Sequence, residues 1–179
     1  MDTRIDSSHV RPEEMAVIRA WVHLLADPST GSTDEQVQEL ERCSSDVPFS
    51  FVCGTRSSRE WIKRDSATCE CGEWQNGRRL HFLRWRDAET ALSCVMELTE
   101  LSEFPAMEWV VRVRNDGAEE MAPIADFRAL DTFWRCSREG DMPELRRAYG
   151  SDGRHDDFQY VCDELRQSMW DAGRTIRMD

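Results

Sequence analysis

Long hydrophobic runs are absent from this 179-residue chain. A transmembrane helix needs roughly 18 or more consecutive apolar residues, so none is predicted. The first eight residues, MDTRIDSS, are polar and lack the apolar core of a signal peptide. The seven cysteines are odd in number and follow no disulfide-framework spacing. With no export signal, the sequence therefore predicts reduced thiols in a cytoplasmic protein.

Positive charge is also in short supply. Lys and Arg number 23 against 35 Asp and Glu, which gives a formal net charge of -12. An acidic surface repels phosphate groups, so we expect neither nucleic acid nor an anionic membrane as a partner. The sequence also lacks a nucleophile elbow, a phosphate-binding glycine loop and a dinucleotide fingerprint. A solvated acidic surface is the simplest interpretation of the charge.

The N-terminal region, residues 1–46, is predicted to be a helical segment followed by a linker. A helix is expected over Pro12–Ala26, because proline suits the first helical position and the apolar residues that follow recur at helical spacing. These apolar residues are Met15, Ile18, Val22 and Leu25. The pattern also allows a second short, acidic helix over residues 34–41.

Residues 47–179 carry the pattern of a β-sandwich domain. Apolar and polar side chains alternate over 92–99 and again over 107–114, which places one row in a core and the other toward water. Other strands are expected at 47–54, 79–85, 123–133, 145–149 and 174–178. In the strand 123–133 the expected core residues are Ile124, Phe127 and Leu130. Long strands joined by short turns indicate a mainly β fold, an antiparallel β-sandwich.

Several strings within residues 48–178 are similar to those of a known family. They are Pro48-Phe-Ser-Phe51, Ser57-Ser-Arg-Glu-Trp61, Glu103-Phe-Pro-Ala-Met-Glu-Trp-Val110, Arg114-Asn-Asp-Gly117, Pro123-Ile124, Ala129-Leu-Asp131, Asp156-Asp-Phe158 and Thr175-Ile-Arg-Met178. Together they resemble the N-terminal β-sandwich domain of α-galactosidase-like enzymes of glycoside hydrolase family 36. The turn Cys53-Gly-Thr-Arg56 departs from the family, which is richer in glycine there. Residues 69–74 have no clear counterpart.

The resemblance implies a super-sandwich fold, incomplete at its C-terminus, in an accessory domain. In such relatives a (β/α)8 barrel follows and carries two catalytic aspartates. No position here matches them, so we predict no catalytic residue, and a chain that is inactive alone. The expected partners are the barrel of the parent protein, a galactoside-like sugar whose pocket the domain borders, and a second copy of the chain. The alternative is a stand-alone carbohydrate-binding or protein-interaction sandwich. An independent hydrolase is the reading with least support.

Four residues are candidates for contact with the sugar. Sugar rings stack their C–H faces on aromatic rings, and Trp61 and Trp134 lie near predicted strand ends or loops. Packing in the core is the commoner role for such tryptophans. Asp156 and Asp157 lie in a predicted loop, where they could line a sugar pocket or cap backbone N–H groups.

The other polar motifs are interpreted as structural. Glu60 and Glu108 are expected to bond to backbone or to an arginine at a sheet edge. Cys69 and Cys71 form a lone Cys-x-Cys pair, whereas a closed zinc site needs four ligands, so they are interpreted as reduced thiols in a loop. The sequence predicts neither a metal site nor a cofactor.

Overall fold

The computed structural model describes residues 10–26 and 47–135 and three further strands, 144–148, 160–164 and 175–177. In chain order its elements are helix α1 (Pro12–Ala26), β1 (Ser50–Cys53), β2 (Arg56–Ser57), β3 (Thr68–Cys71), β4 (Arg78–Arg86), β5 (Leu92–Leu101), β6 (Met107–Asn115), β7 (Ile124–Arg128), β8 (Phe133–Arg135), β9 (Glu144–Ala148), β10 (Tyr160–Glu164) and β11 (Thr175–Arg177). Single turns of 3-10 helix lie at Ser58–Glu60 and Arg64–Ser66. The prediction of a mainly β, antiparallel fold is confirmed, as is the helix over Pro12–Ala26.

The larger sheet has four antiparallel strands in the order β3-β4-β5-β6. One face of β5 is buried as the alternation predicts, through Leu92, Cys94, Met96 and Leu98. The corresponding row of β6, from Met107 to Val113, is only half buried, because β6 lies at the edge of this sheet. Alternation thus identifies the inward face correctly on both strands, but it does not distinguish a central strand from an edge strand.

The second layer is a three-stranded sheet in the order β2-β1-β7. Phe49, just before β1, and Phe51, within it, are buried in the core that the two sheets share. The Phe49 ring meets the Trp85 ring of β4 edge to face, with 6.0 Å between the centroids. The same core includes Trp21 and Leu25 of α1. Phe49 therefore joins the two sheets of the sandwich directly.

Residues 123–133 do not form the single strand that the sequence predicts. Strand β7 ends at Arg128, and residues 129–132 separate it from β8. Ser50 pairs with Arg128 and Val52 with Ala125, so β7 has one residue more than β1 between these two pairs. This β-bulge places Asp126 at a φ of 47° and re-aims the side chains around it.

The prediction that Ile124, Phe127 and Leu130 belong to the core is wrong. Their exposed fractions are 38%, 45% and 42%. The physical reasons are that β7 is an edge strand interrupted by the bulge and that Leu130 lies beyond its end. These three exposed apolar side chains, two on β7 and one just after it, are here called the β7 patch.

The region 55–77, in which no strand is predicted, contains two short strands. Strand β2 closes a hairpin with β1, and Gly54 occupies its turn with a φ of 61°, a conformation that favours glycine. Strand β3 pairs with β4 over four residues. Its short, polar sequence, TCEC, carries too weak an alternation to reveal a strand.

The C-terminal strands form two antiparallel pairs, β9 with β10 and β8 with β11. Strands β9 and β11 coincide with the predicted segments 145–149 and 174–178, whereas β10 was not expected. The predicted helix at 34–41 lies outside the described residues, and the boundary predicted after residue 46 stays a prediction. Within the described ranges, no helix has both the length and the hydropathy required to cross a membrane.

Candidate functional site

A buried carboxylate connects the N-terminal strings of the resemblance with the later ones. Asp131 is 1% exposed, and its carboxylate accepts a hydrogen bond from the hydroxyl of Ser50, 81 residues earlier in the chain. The Arg59 guanidinium lies 2.7 Å from the same carboxylate and also donates to the Asp131 carbonyl oxygen, at 2.9 Å. The Asp131 N–H donates to the Pro48 carbonyl oxygen at 2.8 Å. We call these four residues the Asp131 network.

The 3-10 turn at Ser58–Glu60 positions Arg59 for this network. Ser57 and Glu60 form a capping box around the turn, in which the Ser57 N–H donates to the Glu60 carboxylate at 3.2 Å. The Ser58 hydroxyl accepts from the Phe51 N–H at 3.0 Å and ties the turn to β1. The structural role predicted for Glu60 is confirmed.

Two further contacts belong to the strings of the resemblance. The Trp109 indole N–H donates to the Ala129 carbonyl oxygen at 3.0 Å and connects β6 to the segment before Asp131. Glu108, on the outward face of β6, pairs with Arg78 at 3.1 Å, so its structural role is confirmed as well. Contacts thus link several of the strings that lie between positions 48 and 131. With the carboxylate held by a hydroxyl and a guanidinium, the arrangement suits a structural clamp.

A second candidate site is a cavity of about 510 Å³ between α1 and the inward face of the four-stranded sheet. Its polar wall is formed by Arg19, His23, Cys69, Cys71, Arg79, His81 and Glu100. Antiparallel register places Cys71 directly opposite His81 and Arg79 opposite Glu100. The sequence does not reveal this cluster. The cluster depends on strand β3, and the pairing of β3 with β4 has no clear sequence signal.

His81 is the most deeply buried polar residue of the cavity wall, with an exposed fraction of 4%. Its Nε2 lies 3.3 Å from a carboxylate oxygen of Glu100. Its Nδ1 has no hydrogen-bond partner among the described residues. Burial lowers the pKa of His81 below its ordinary value of 6.5, although Glu100 acts in the opposite direction. The imidazole is therefore neutral near pH 7.

This lowered pKa predicts a pH dependence of stability. As the pH falls below about 6.5, His81 is protonated more readily in the unfolded chain than in the native one, so the unfolded state binds more protons. The free energy of unfolding should then fall as pH decreases from about 7 to 5, by at most about 1.4 kcal/mol per pH unit. Urea unfolding across this range measures the slope. The His81→Gln variant should lose this contribution and His23→Gln should keep it; equal slopes in both variants would contradict the assignment.

The cysteines that line this cavity do not lie in the loop that the sequence predicted. Cys69 and Cys71 lie on strand β3, not in a loop, and form no disulfide. No group of three His, Cys, Asp or Glu side chains in the described part of the chain is placed to hold a metal ion. Cys94 is buried in the core, and burial raises the pKa of its thiol to about 12, so it stays protonated at neutral pH.

Of the four residues predicted to contact the sugar, only Trp61 and Trp134 lie within the described residues. Trp61 is half buried at the end of the 3-10 turn, and its ring meets Phe51 edge to face at 6.2 Å. Trp134 lies on β8 opposite Ile176 of β11. Asp156 and Asp157 lie outside the described residues. Sugar binding by these residues therefore stays a prediction.

Comparisons with protein-family models, with curated proteins and with solved structures found no match. The functional interpretation depends accordingly on the strings described above and on the geometry of the residues that carry them.

Proposed function

We propose that this chain is an accessory β-sandwich domain that packs against a catalytic (β/α)8 barrel in a glycoside hydrolase similar to the α-galactosidase-like enzymes. The observation that carries the proposal is the convergence of the resembling strings. Ser50, Arg59 and Asp131 belong to three separate strings and meet at one buried carboxylate. A similarity that arose by chance has no reason to select residues that contact one another in the fold. This convergence favours a shared architecture.

The β7 patch is the surface we assign to the barrel. It exposes three large apolar side chains close together in the sequence, and apolar side chains left exposed to water favour an interface. In the described part of the chain, the outer edge of β7 pairs with no other strand. The outward face of the four-stranded sheet is a weaker candidate, because its arginines are already paired there: Arg84 with Glu70 at 3.5 Å and Arg112 with Glu97 at 2.8 Å.

The coding sequence beyond residue 179 provides the first test. It should continue into a (β/α)8 barrel with two catalytic aspartates, in frame or in a shifted frame. The extended protein should hydrolyse an aryl α-galactoside, whereas the 179-residue chain alone should not. A coding sequence without a barrel, or turnover by the 179-residue chain that is lost when one carboxylate is changed, would overturn the proposal.

A matched pair of variants tests the docking surface. Ile124 in the β7 patch and Val110 on the outward face of β6 are both exposed, β-branched residues on strands. Ile124→Ser should lower the melting temperature of the extended protein more than that of the 179-residue chain. Val110→Ser should affect the two proteins equally. An equal effect of Ile124→Ser on both would rule out this docking surface.

Tryptophan fluorescence separates the accessory domain from a stand-alone binding module. Because a sugar stacking on an indole changes its emission, titration of the 179-residue chain with methyl α-galactoside reports binding directly. An accessory domain that only borders the pocket should give no saturable change. Saturable binding by the chain alone would favour the stand-alone module instead.

A further inference from the structure

The cavity between α1 and the four-stranded sheet is lined, among the described residues, by two arginines, two histidines and a single carboxylate. Arg19 and Arg79 line it, and neither has an ion-pair partner among the described residues. Arg79 donates to the Gly72 carbonyl oxygen at 3.2 Å and lies over the Trp74 ring, contacts that leave its charge unbalanced. Two arginines in one cavity, neither paired with a carboxylate in the part of the chain that the structure describes, favour an anionic ligand.

Glu100, the one carboxylate among the described residues of this cavity wall, contacts His81 and not Arg79. It is opposite Arg79 in the strand register, yet its carboxylate approaches His81 Nε2 at 3.3 Å. An ionised carboxylate at Nε2 requires the ring proton to be there. The neutral imidazole then presents the lone pair of Nδ1, which is a hydrogen-bond acceptor. Since Nδ1 has no partner among the described residues, it is free to accept a hydrogen bond from a donor in the cavity.

The two arginines and the free Nδ1 of His81 together indicate the chemistry of the ligand. Its negative charge would face Arg19 and Arg79, and a hydroxyl group would donate to His81 Nδ1. A volume of about 510 Å³ is within the range of small-molecule sites, roughly 300–1,000 Å³. We propose that this cavity binds a small hydroxylated organic anion, such as a polyhydroxy carboxylate or a polyol phosphate. This inference is independent of the barrel and applies to the 179-residue chain as it stands.

Isothermal titration of the 179-residue chain with D-gluconate tests the proposal, with glycerol 3-phosphate as the phosphate arm. D-glucose, which has the hydroxyls without the charge, and butyrate, which has the charge without the hydroxyls, are the matched ligands. At least one of the two hydroxylated anions should bind saturably, about tenfold or more tightly than glucose and butyrate. Its affinity should fall as NaCl is raised. Failure of both anions to bind, or equal binding of butyrate, would overturn the proposal.

Variants connect the binding to the cavity. Arg19→Gln changes an exposed residue of α1 and should preserve the fold while weakening the anion about tenfold or more. Arg112→Gln, on the opposite face of the sheet, should leave the affinity unchanged. His81→Phe should remove the preference for a hydroxylated anion over butyrate, and its melting curve reports whether it folds. Binding that persists unchanged in both Arg19→Gln and Arg79→Gln would exclude the cavity as the site, even if His81→Phe fails to fold.

Discussion

Replacing Phe49 with alanine should lower the free energy of unfolding by about 3–5 kcal/mol. The ring is completely buried, and it connects the layer of β1 to Trp85 in the four-stranded sheet. Truncation would remove apolar contacts on both sheets and leave a cavity between layers that cannot collapse without moving a strand. Urea unfolding followed by tryptophan fluorescence measures the loss.

Val110→Ala is the matched control for this prediction. Val110 is exposed on the outward face of β6, so its truncation should change stability by less than about 0.5 kcal/mol. If Phe49→Ala were no more damaging than Val110→Ala, the two sheets would not share the core described above.

Removing Arg59 from the Asp131 network should have the second largest effect. The Arg59→Met variant would leave the fully buried Asp131 carboxylate without its guanidinium partner, and breaking a buried ion pair costs about 3–5 kcal/mol. Because the Arg59 side chain is 35% exposed, water screens part of the interaction, and we expect about 2–3 kcal/mol.

A double-mutant cycle separates this ion pair from general damage. Arg59→Met and Asp131→Asn should be non-additive by about 1 kcal/mol or more, because each single change already breaks the same contact. The exposed pair of Arg112 with Glu97 is the control, and Arg112→Met should cause much less destabilisation. Additive effects at residues 59 and 131 would mean that the buried contact contributes little.

Elements that repeat with a regular period could be predicted from the sequence. The apolar spacing after Pro12 identifies α1, and the alternation of β5 and β6 identifies both the strands and their inward faces. In each case the periodicity of the side chains matches that of the backbone, so local pattern and tertiary burial agree. The hairpin turn at 87–90 and the chain reversal after β6 at 115–117 follow from residues that tolerate turn conformations.

The bulge and the short strands could not be predicted in this way. The extra residue in β7 depends on its pairing with β1, some 70 residues away, and nothing within residues 123–133 indicates where the register shifts. Strand β3 owes its place to backbone hydrogen bonds with β4, which are formed whatever the side chains.

The two candidate sites also differ in how much of each could be predicted from the sequence. The strings containing Ser50, Arg59 and Asp131 are visible in the sequence, but only the fold shows that they meet at one carboxylate. The cavity with His81 and Glu100 was missed because it joins residues from α1 and three strands. A sequence pattern indicates which face of a helix or strand a residue occupies. A site depends in addition on which elements pack against one another in the fold.

The most direct test of the structural role assigned to the Asp131 network is the kcat of the extended protein for an aryl α-galactoside, with and without the Asp131→Asn substitution. If the network only holds the accessory sandwich together, the variant should melt at a lower temperature. Assayed well below that temperature, its kcat should remain within about twofold of the unsubstituted protein. A loss of about a thousandfold or more in kcat, with the circular dichroism spectrum unchanged, would instead place Asp131 in the reaction and contradict the assignment of this chain as an accessory domain.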